Sequence, residues 1–313
     1  MTTSHTSSST RSPRLPTRRT AGSLTAAVGN GKEIADLEVL AELPGLRFLT
    51  LNQCDVSNED LQMISQLAAL TSLSLDDNVF TDLTPLGALT GLTYLSVSDN
   101  GLRDVAGLAS LSKLKTLVAA DNQIIDPQGV AWIVSVSVLD LSGNQLSSVV
   151  NLAPLTRLTD LNLSGNRISS LDGISAFPSL RNLDLSANSL TDIAPLSALR
   201  NLDALDLSRN RVSDYAPLAQ TKLTSLKATH NSIDDLDSIA SIRTLRTLNV
   251  ATNMITSVKP LENLSELAEL DVSNNLIFRL SPLTDCPSLG TVACSGNPAI
   301  DTRKLEERGI TLK

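Results

Sequence analysis

Few residues in this chain are of a type that does chemistry. Its two histidines are His5 and His230, and its three cysteines are Cys54, Cys286 and Cys294. Nucleophilic catalysis needs a base within hydrogen-bond reach of a serine, cysteine or similar group. No known spacing sets either histidine beside such a nucleophile. His5 lies in a Ser/Thr-rich stretch, and His230 directly precedes Asn231, where a solvated turn residue is expected. No glycine loop with phosphate-cradling spacing is present. Asp184 and Asp206 lie 22 residues apart and fall in one column if the chain repeats at that period. Calcium takes six to eight oxygen ligands, and a flat strand column offers fewer, so these carboxylates read as a solvated acidic face. The residues therefore predict no enzyme, no metal and no cofactor, and the chain has to be understood from the elements that carry it.

Those elements are repeats. Asparagines recur at Asn78, Asn100, Asn122, Asn144, Asn166, Asn188, Asn210, Asn231, Asn253, Asn275 and Asn297, 22 residues apart except for 21 between Asn210 and Asn231. Leucine or a relative stands eight, five and three residues before each, and two, five, eight and eleven after. Leu180, Leu183, Leu185, Leu190, Ile193, Leu196 and Leu199 around Asn188 show the unit in full. Cys54 holds the same place 24 residues before Asn78. A worn copy precedes it, with Leu24, Ala27, Gly29, Lys32, Ile34 and Leu37 in the corresponding places.

Leu183 and Leu185 are two apart and share one face of a strand. Stacked units then pair as parallel strands with the leucines inside. The asparagine ends the strand where the chain turns. Its side chain offers both donor and acceptor, so a column of them can satisfy turn backbone that would otherwise be buried unpaired. Cysteine, a weak donor, is tolerable there as Cys54. Asp192 and Pro195 open the return path, as do Asp82 and Pro85, and Asp214 and Pro217, because proline suits the first turn of a short helix. All three cysteines take core places by register, which predicts reduced apolar thiols. A Cys286–Cys294 bridge stays open as an alternative. An odd cysteine favours a reducing compartment.

The pattern resembles the 22-residue class of leucine-rich repeats, shared by solenoid-type regulatory subunits of phosphatase-1 and by bacterial internalins. The resemblance spans residues 24–312. It implies an α/β solenoid with a curved parallel sheet on the concave face and short helical or 3-10 turns on the convex face. It also implies a protein-binding scaffold, and it names no partner, since this class hosts many. Internalins usually carry a signal peptide and a surface anchor, and neither is legible in this sequence.

The chain divides accordingly into a basic Ser/Thr-rich tail at 1–20, expected to be disordered, an N-terminal cap with the degraded repeat at 21–45, twelve repeats at 46–297 and a C-terminal cap at 298–313. The cap reads as a short amphipathic helix, a stop at Gly309 and a stub strand. The unit after Cys54 is two residues longer and carries Asn58-Glu59-Asp60, which predicts a longer outer helix. Trp132, where other units have small or polar residues, is expected on the outer surface as a contact or partly buried against neighbouring coils. Net charge is −8; the tail holds Arg11, Arg14, Arg18 and Arg19 and no acid, so the solenoid alone has 21 basic against 33 acidic residues. That excess should repel nucleic acid and anionic membranes and favour a basic or neutral partner. No run approaches the ~20 apolar residues of a membrane span.

The expected working surface is the exposed side of the strands, six, four and two residues before each asparagine. There Tyr94, Val118 and Val138 supply apolar side chains. Asp140, Asp160, Asp184 and Asp206 follow as an acidic strip, with Lys227 beyond. The reading is a monomeric cytoplasmic interaction scaffold or regulatory subunit. It binds a protein with basic or mixed basic and apolar surface on the concave face. The alternative is an exported internalin-like adhesin, raised by Arg18-Arg19 as a twin-arginine signal; an enzyme is the remote one.

Overall fold

The computed structural model describes residues 26–31, 37, 40, 42–299 and 301–313. The tail at 1–20, with His5 and Arg18-Arg19, lies outside the described residues, as do Leu24, Lys32 and Ile34 of the worn unit.

Among the described residues the sheet has fourteen strands in strict chain order. They are β1 Ala26–Asn30, β2 Phe48–Asn52, β3 Ser72–Ser74, β4 Tyr94–Ser96, β5 Thr116–Val118, β6 Val138–Asp140 and β7 Asp160–Asn162. Then come β8 Asn182–Asp184, β9 Ala204–Asp206, β10 Ser225–Lys227, β11 Thr247–Asn249, β12 Glu269–Asp271, β13 Thr291–Ala293 and β14 Thr311–Leu312. Every pair is parallel and in repeat register: Leu161 faces Leu183, and Leu183 faces Leu205. The worn unit keeps that register, with Ala27 opposite Leu49 and Gly29 opposite Leu51.

Most strands last only three residues because the unit has one leucine to bury within the strand and one just after it. Leu183 and Leu185 are buried, as are Leu190, Ile193, Leu196 and Leu199 on the return path. All belong to one continuous core that also takes Phe80, Phe177 and Tyr215. Since each coil buries its apolar residues only against its neighbours, the array is held together by nearest-neighbour packing.

The asparagine column closes each strand. Asn188 Nδ2 donates to the carbonyls of Leu163 (2.9 Å), Leu185 (3.0 Å) and Ser186 (3.1 Å), and its Oδ1 accepts from Ile168 N–H (2.9 Å). One side chain thus ties the carbonyls of its own turn to both the carbonyl and the N–H of the preceding coil. Asn78 does the same for Cys54 and Val56, whose N–H groups both donate to its Oδ1 at 3.0 Å. Cys54 in turn donates through Sγ to Gly29 and Asn52 carbonyls at 3.2 Å.

The residue just before each asparagine is left-handed: Asp77, Asp99, Asp121, Ala187, Arg209, His230, Thr252 and Asn274 have φ between 52° and 57°, and Gly143, Gly165 and Gly296 fill the same place. An L-residue costs about 1 kcal/mol or more there, so the coil geometry overrides local preference. His230 is one of this column.

On the outer side the return paths are single 3-10 turns, with proline in the first turn at Thr84–Ala88, Ala194–Ala198, Ala216–Gln220, Lys259–Asn263 and Ser281–Asp285. Asp82, Asp192 and Asp214 each accept from the N–H two residues on, at 2.8–2.9 Å, which starts the turn. The long unit instead forms helix α1, Asn58–Ile64, closed by a capping box between Ser57 and Asp60. Gly129 allows adjacent outer turns to touch: a Cβ there would sit 2.5 Å from Ala106 backbone. At the end, helix α2, Arg303–Glu307, and Gly309 at φ 81° lead into β14.

Trp132 is 69% exposed on the outer turns, so of the two expectations for it exposure holds. Cys286 and Cys294 are free thiols, with no bridge between them. Cys54 and Cys286 are buried, whereas Cys294 is only partly so. Its coil is covered by the two-residue β14 and not by a full unit.

Candidate functional site

The outward-facing residues of β4 to β10 form the surface on which the sequence-predicted contacts lie. Their burial alternates as the two-residue strand period requires: Leu139, Leu161, Leu183 and Leu205 point into the core, and Val138, Asp140, Asp160, Asp184 and Asp206 are half-exposed. Lys227 is exposed at the far end.

From β6 to β10 this surface encloses an open groove of about 350 Å³, lined by Val138, Asp140, Asp160, Asp184, Asp206 and Lys227 among others. Six of the eight predicted contact residues therefore share one depression. The other two do not. Tyr94, 36% exposed, and Val118 lie on β4 and β5, outside the groove. Nor do the three apolar residues make one row. Tyr94 and Val138 face Thr116 from either side, while Val118 pairs with Ser96 and Asp140 in the other row. Ser96, in a row expected to be exposed, is buried and donates to Asp76 Oδ1 at 2.6 Å.

The aspartates are held in place by their own coils. Asp140, Asp184 and Asp206 each accept through Oδ1 from the N–H two residues on, Ser142, Ser186 and Ser208, at 2.8 Å. Asn162 does the same for Ser164 at 3.0 Å, with an uncharged side chain. Asp140 Oδ2 also accepts from Asn162 Nδ2 at 3.1 Å. Asp160 accepts from Asn182 Nδ2 (2.6 Å) and from Thr159 Oγ (2.7 Å). Asp206 faces Lys227 at 3.8 Å, a loose and partly exposed pair whose contribution is small. Asp184 is the carboxylate with an oxygen left over: its Oδ2 has no partner among the described residues.

Asn162 and Asn182, which orient two of the carboxylates, escape sequence reasoning because they look like ordinary polar filler. For Asn162 the available signal was its place in the row of Asp140, Asp184 and Asp206, each followed two residues later by serine; Asn182 lies in the row six before the ladder and carried no such signal. Each such pair makes a small side-chain turn.

This arrangement can present oriented negative charge above a small apolar floor. It does not assemble a nucleophile or a base. Among the described residues no group of three or more His, Cys, Asp or Glu could hold a metal ion, and no helix is long and apolar enough to cross a membrane.

Comparison with known proteins agrees with the architecture. Family models described as leucine-rich repeat match residues 156–212 and, as two copies, 134–176. No curated protein matches the sequence. Among solved structures, an internalin from Listeria monocytogenes is 28% identical at TM-score 0.83, with 92% of this chain and 85% of that one covered. Internalin C2 of the same organism is 31% identical at TM-score 0.56, covering 61% of this chain and 83% of its own. A leucine-rich repeat protein of Leptospira interrogans, 22% identical at TM-score 0.72 with coverage of 92% and 88%, shares the fold. Period, asparagine column, sheet and relatives together place this chain in the leucine-rich repeat family, with an internalin-like solenoid.

Proposed function

We propose that the protein is a binding scaffold without enzymatic activity. Its concave face from β4 to β10 receives another protein carrying basic and apolar side chains. The observation that supports this is the groove over β6 to β10, with its four fixed aspartates and an exposed tyrosine two strands away. Aromatic side chains carry a large share of interface energy, so Tyr94 governs how long the partner stays. The aspartates act mainly on the encounter rate. In this reading the protein works as a monomer and as an interaction or regulatory subunit. The free thiols of Cys286 and Cys294 support a reducing, cytoplasmic setting. The likeness to Listeria internalins favours a second reading, an exported adhesin; cell fractionation separates the two.

The test is capture of partners from native lysate, then surface plasmon resonance with the purified partner. Tyr94→Ala raises the off-rate, and Asp184→Asn with Asp206→Asn slows association at low salt and much less at high salt. If both behave like the parent while Trp132→Ala loses binding, the outer turns are the working face and the proposal fails.

A further inference from the structure

The groove over β6 to β10 is acidic along most of its length, and a segment of opposite charge belongs to the same chain. Residues 11–19 hold Arg11, Arg14, Arg18 and Arg19 with no acid between them. We infer that this basic segment lies along the concave groove of its own solenoid, with Arg14 and Arg11 against Asp140, Asp160 and Asp184. It would thereby compete with whatever partner binds there. This rests on the concave face being a binding surface, and it deepens that reading by adding its regulation.

The reach is sufficient. Parallel strands lie about 4.8 Å apart, so β6 stands about 24 Å from β1 and β10 about 43 Å. An extended chain advances about 3.3 Å per residue. The tail ends at residue 20, so reach is counted from Ala21: Arg18, three residues before it, stays within about 10 Å, over the first strands. Arg14 is seven residues before Ala21, which allows about 23 Å and brings it to the edge of β6. Arg11 is ten residues before Ala21, which allows about 33 Å and brings it to β8, where Asp184 stands. Pro13 and Pro16 bias the residues before them toward extended backbone, which a run across the strands requires.

The carboxylates suit this occupant. Asp184 keeps one oxygen without a partner among the described residues. A guanidinium can engage both oxygens of a carboxylate at once. An intramolecular occupant also needs little intrinsic affinity, because tethering gives it a high effective concentration.

The test compares the full chain with a full-length variant carrying Arg11→Gln, Arg14→Gln, Arg18→Gln and Arg19→Gln. A synthetic peptide of residues 8–21 is titrated into each by calorimetry at low salt. The expected result is that the variant binds the peptide about tenfold or more tighter than the parent, whose own tail competes. Adding Asp140→Asn and Asp184→Asn to the variant removes that binding. Asparagine already performs the same backbone contact at Asn162, so these substitutions keep the coil folded. No binding by the variant overturns the inference, and so does equal binding by parent and variant. Binding that survives the two asparagines overturns it as well. Failure here leaves the partner experiment on Tyr94 untouched. A partner that binds elsewhere leaves this result standing.

Discussion

Asn188, Leu185 and Asp184 sit within five residues of one another and answer to different physics. Leu185 is fully buried, so Leu185→Ala leaves a cavity and costs about 2–5 kcal/mol. Asn188→Ala strips partners from three carbonyls and one N–H. Leaving such groups unsatisfied costs about 1–3 kcal/mol. Asp184 looks from sequence like a freely solvated surface residue, and its removal would then be nearly silent. The bond it accepts from Ser186 N–H changes that: Asp184→Ala costs about 1 kcal/mol, while Asp184→Asn keeps the acceptor and costs close to nothing. Urea denaturation of the four variants should rank them Leu185→Ala, Asn188→Ala, Asp184→Ala, Asp184→Asn. Asp184→Ala ranking first would show that the register is wrong.

The outer turns carry the pH sensitivity. Cys286 ends the turn Ser281–Asp285 and donates to the Leu261 carbonyl at 3.2 Å. Burial pushes its thiol up to about 11 from 9.0; Arg308 opposes this, and Asp285 and Glu262 add to it. Burial alone also raises Tyr215, whose hydroxyl has no hydrogen-bond partner among the described residues. A group whose folded value is raised stabilises the fold below its unfolded value and loses that contribution as pH climbs through the folded one. Stability measured in urea should therefore hold up to about pH 9 and decline between about 9 and 11. Cys286→Ala should shallow that decline. An unchanged slope in the variant would mean that the thiol stays accessible enough to ionise in the fold. At acid pH the C-terminal cap behaves oppositely. Burial acts to raise Asp301, but the N–H groups of Leu280 (2.7 Å) and Ser281 (3.0 Å) outweigh it and lower its pKa. Its contribution is present above the ordinary aspartate value and is lost as pH falls.

At the scale of the whole molecule the solenoid is a stack whose stability is a sum over adjacent coils. Residues 1–20 contain none of the repeat leucines. Removing them should leave the melting temperature of the array nearly unchanged at high salt, where the proposed contact between tail and groove is screened. Scanning calorimetry of the truncated and full chains checks this; a drop of many degrees would show that the tail covers the first coil. The concave charge, in contrast, belongs to the assembled array. Asp140, Asp184 and Asp206 are 22 residues apart or a multiple of it in sequence. They stand side by side only because the strands pair without slip.

The sequence alone determined the repeat, the parallel sheet, the side of each strand that faces inward and the residues that close each turn. These follow from spacing: leucines two apart must share a face, and an asparagine at a fixed place has only turn backbone to satisfy. Tertiary structure decided what spacing does not encode. It put six of the eight predicted contacts in one groove and left Tyr94 and Val118 outside it, because a depression depends on the side-chain volumes of five neighbouring strands together. It showed Asp140, Asp160, Asp184 and Asp206 tied by Ser142, Asn182, Ser186 and Ser208, since hydrogen-bond partners are set by geometry and not by residue type. It forced Ala187, His230 and Thr252 into left-handed backbone that their own preferences oppose. The stacking of whole coils outweighs the strain of a single residue in each.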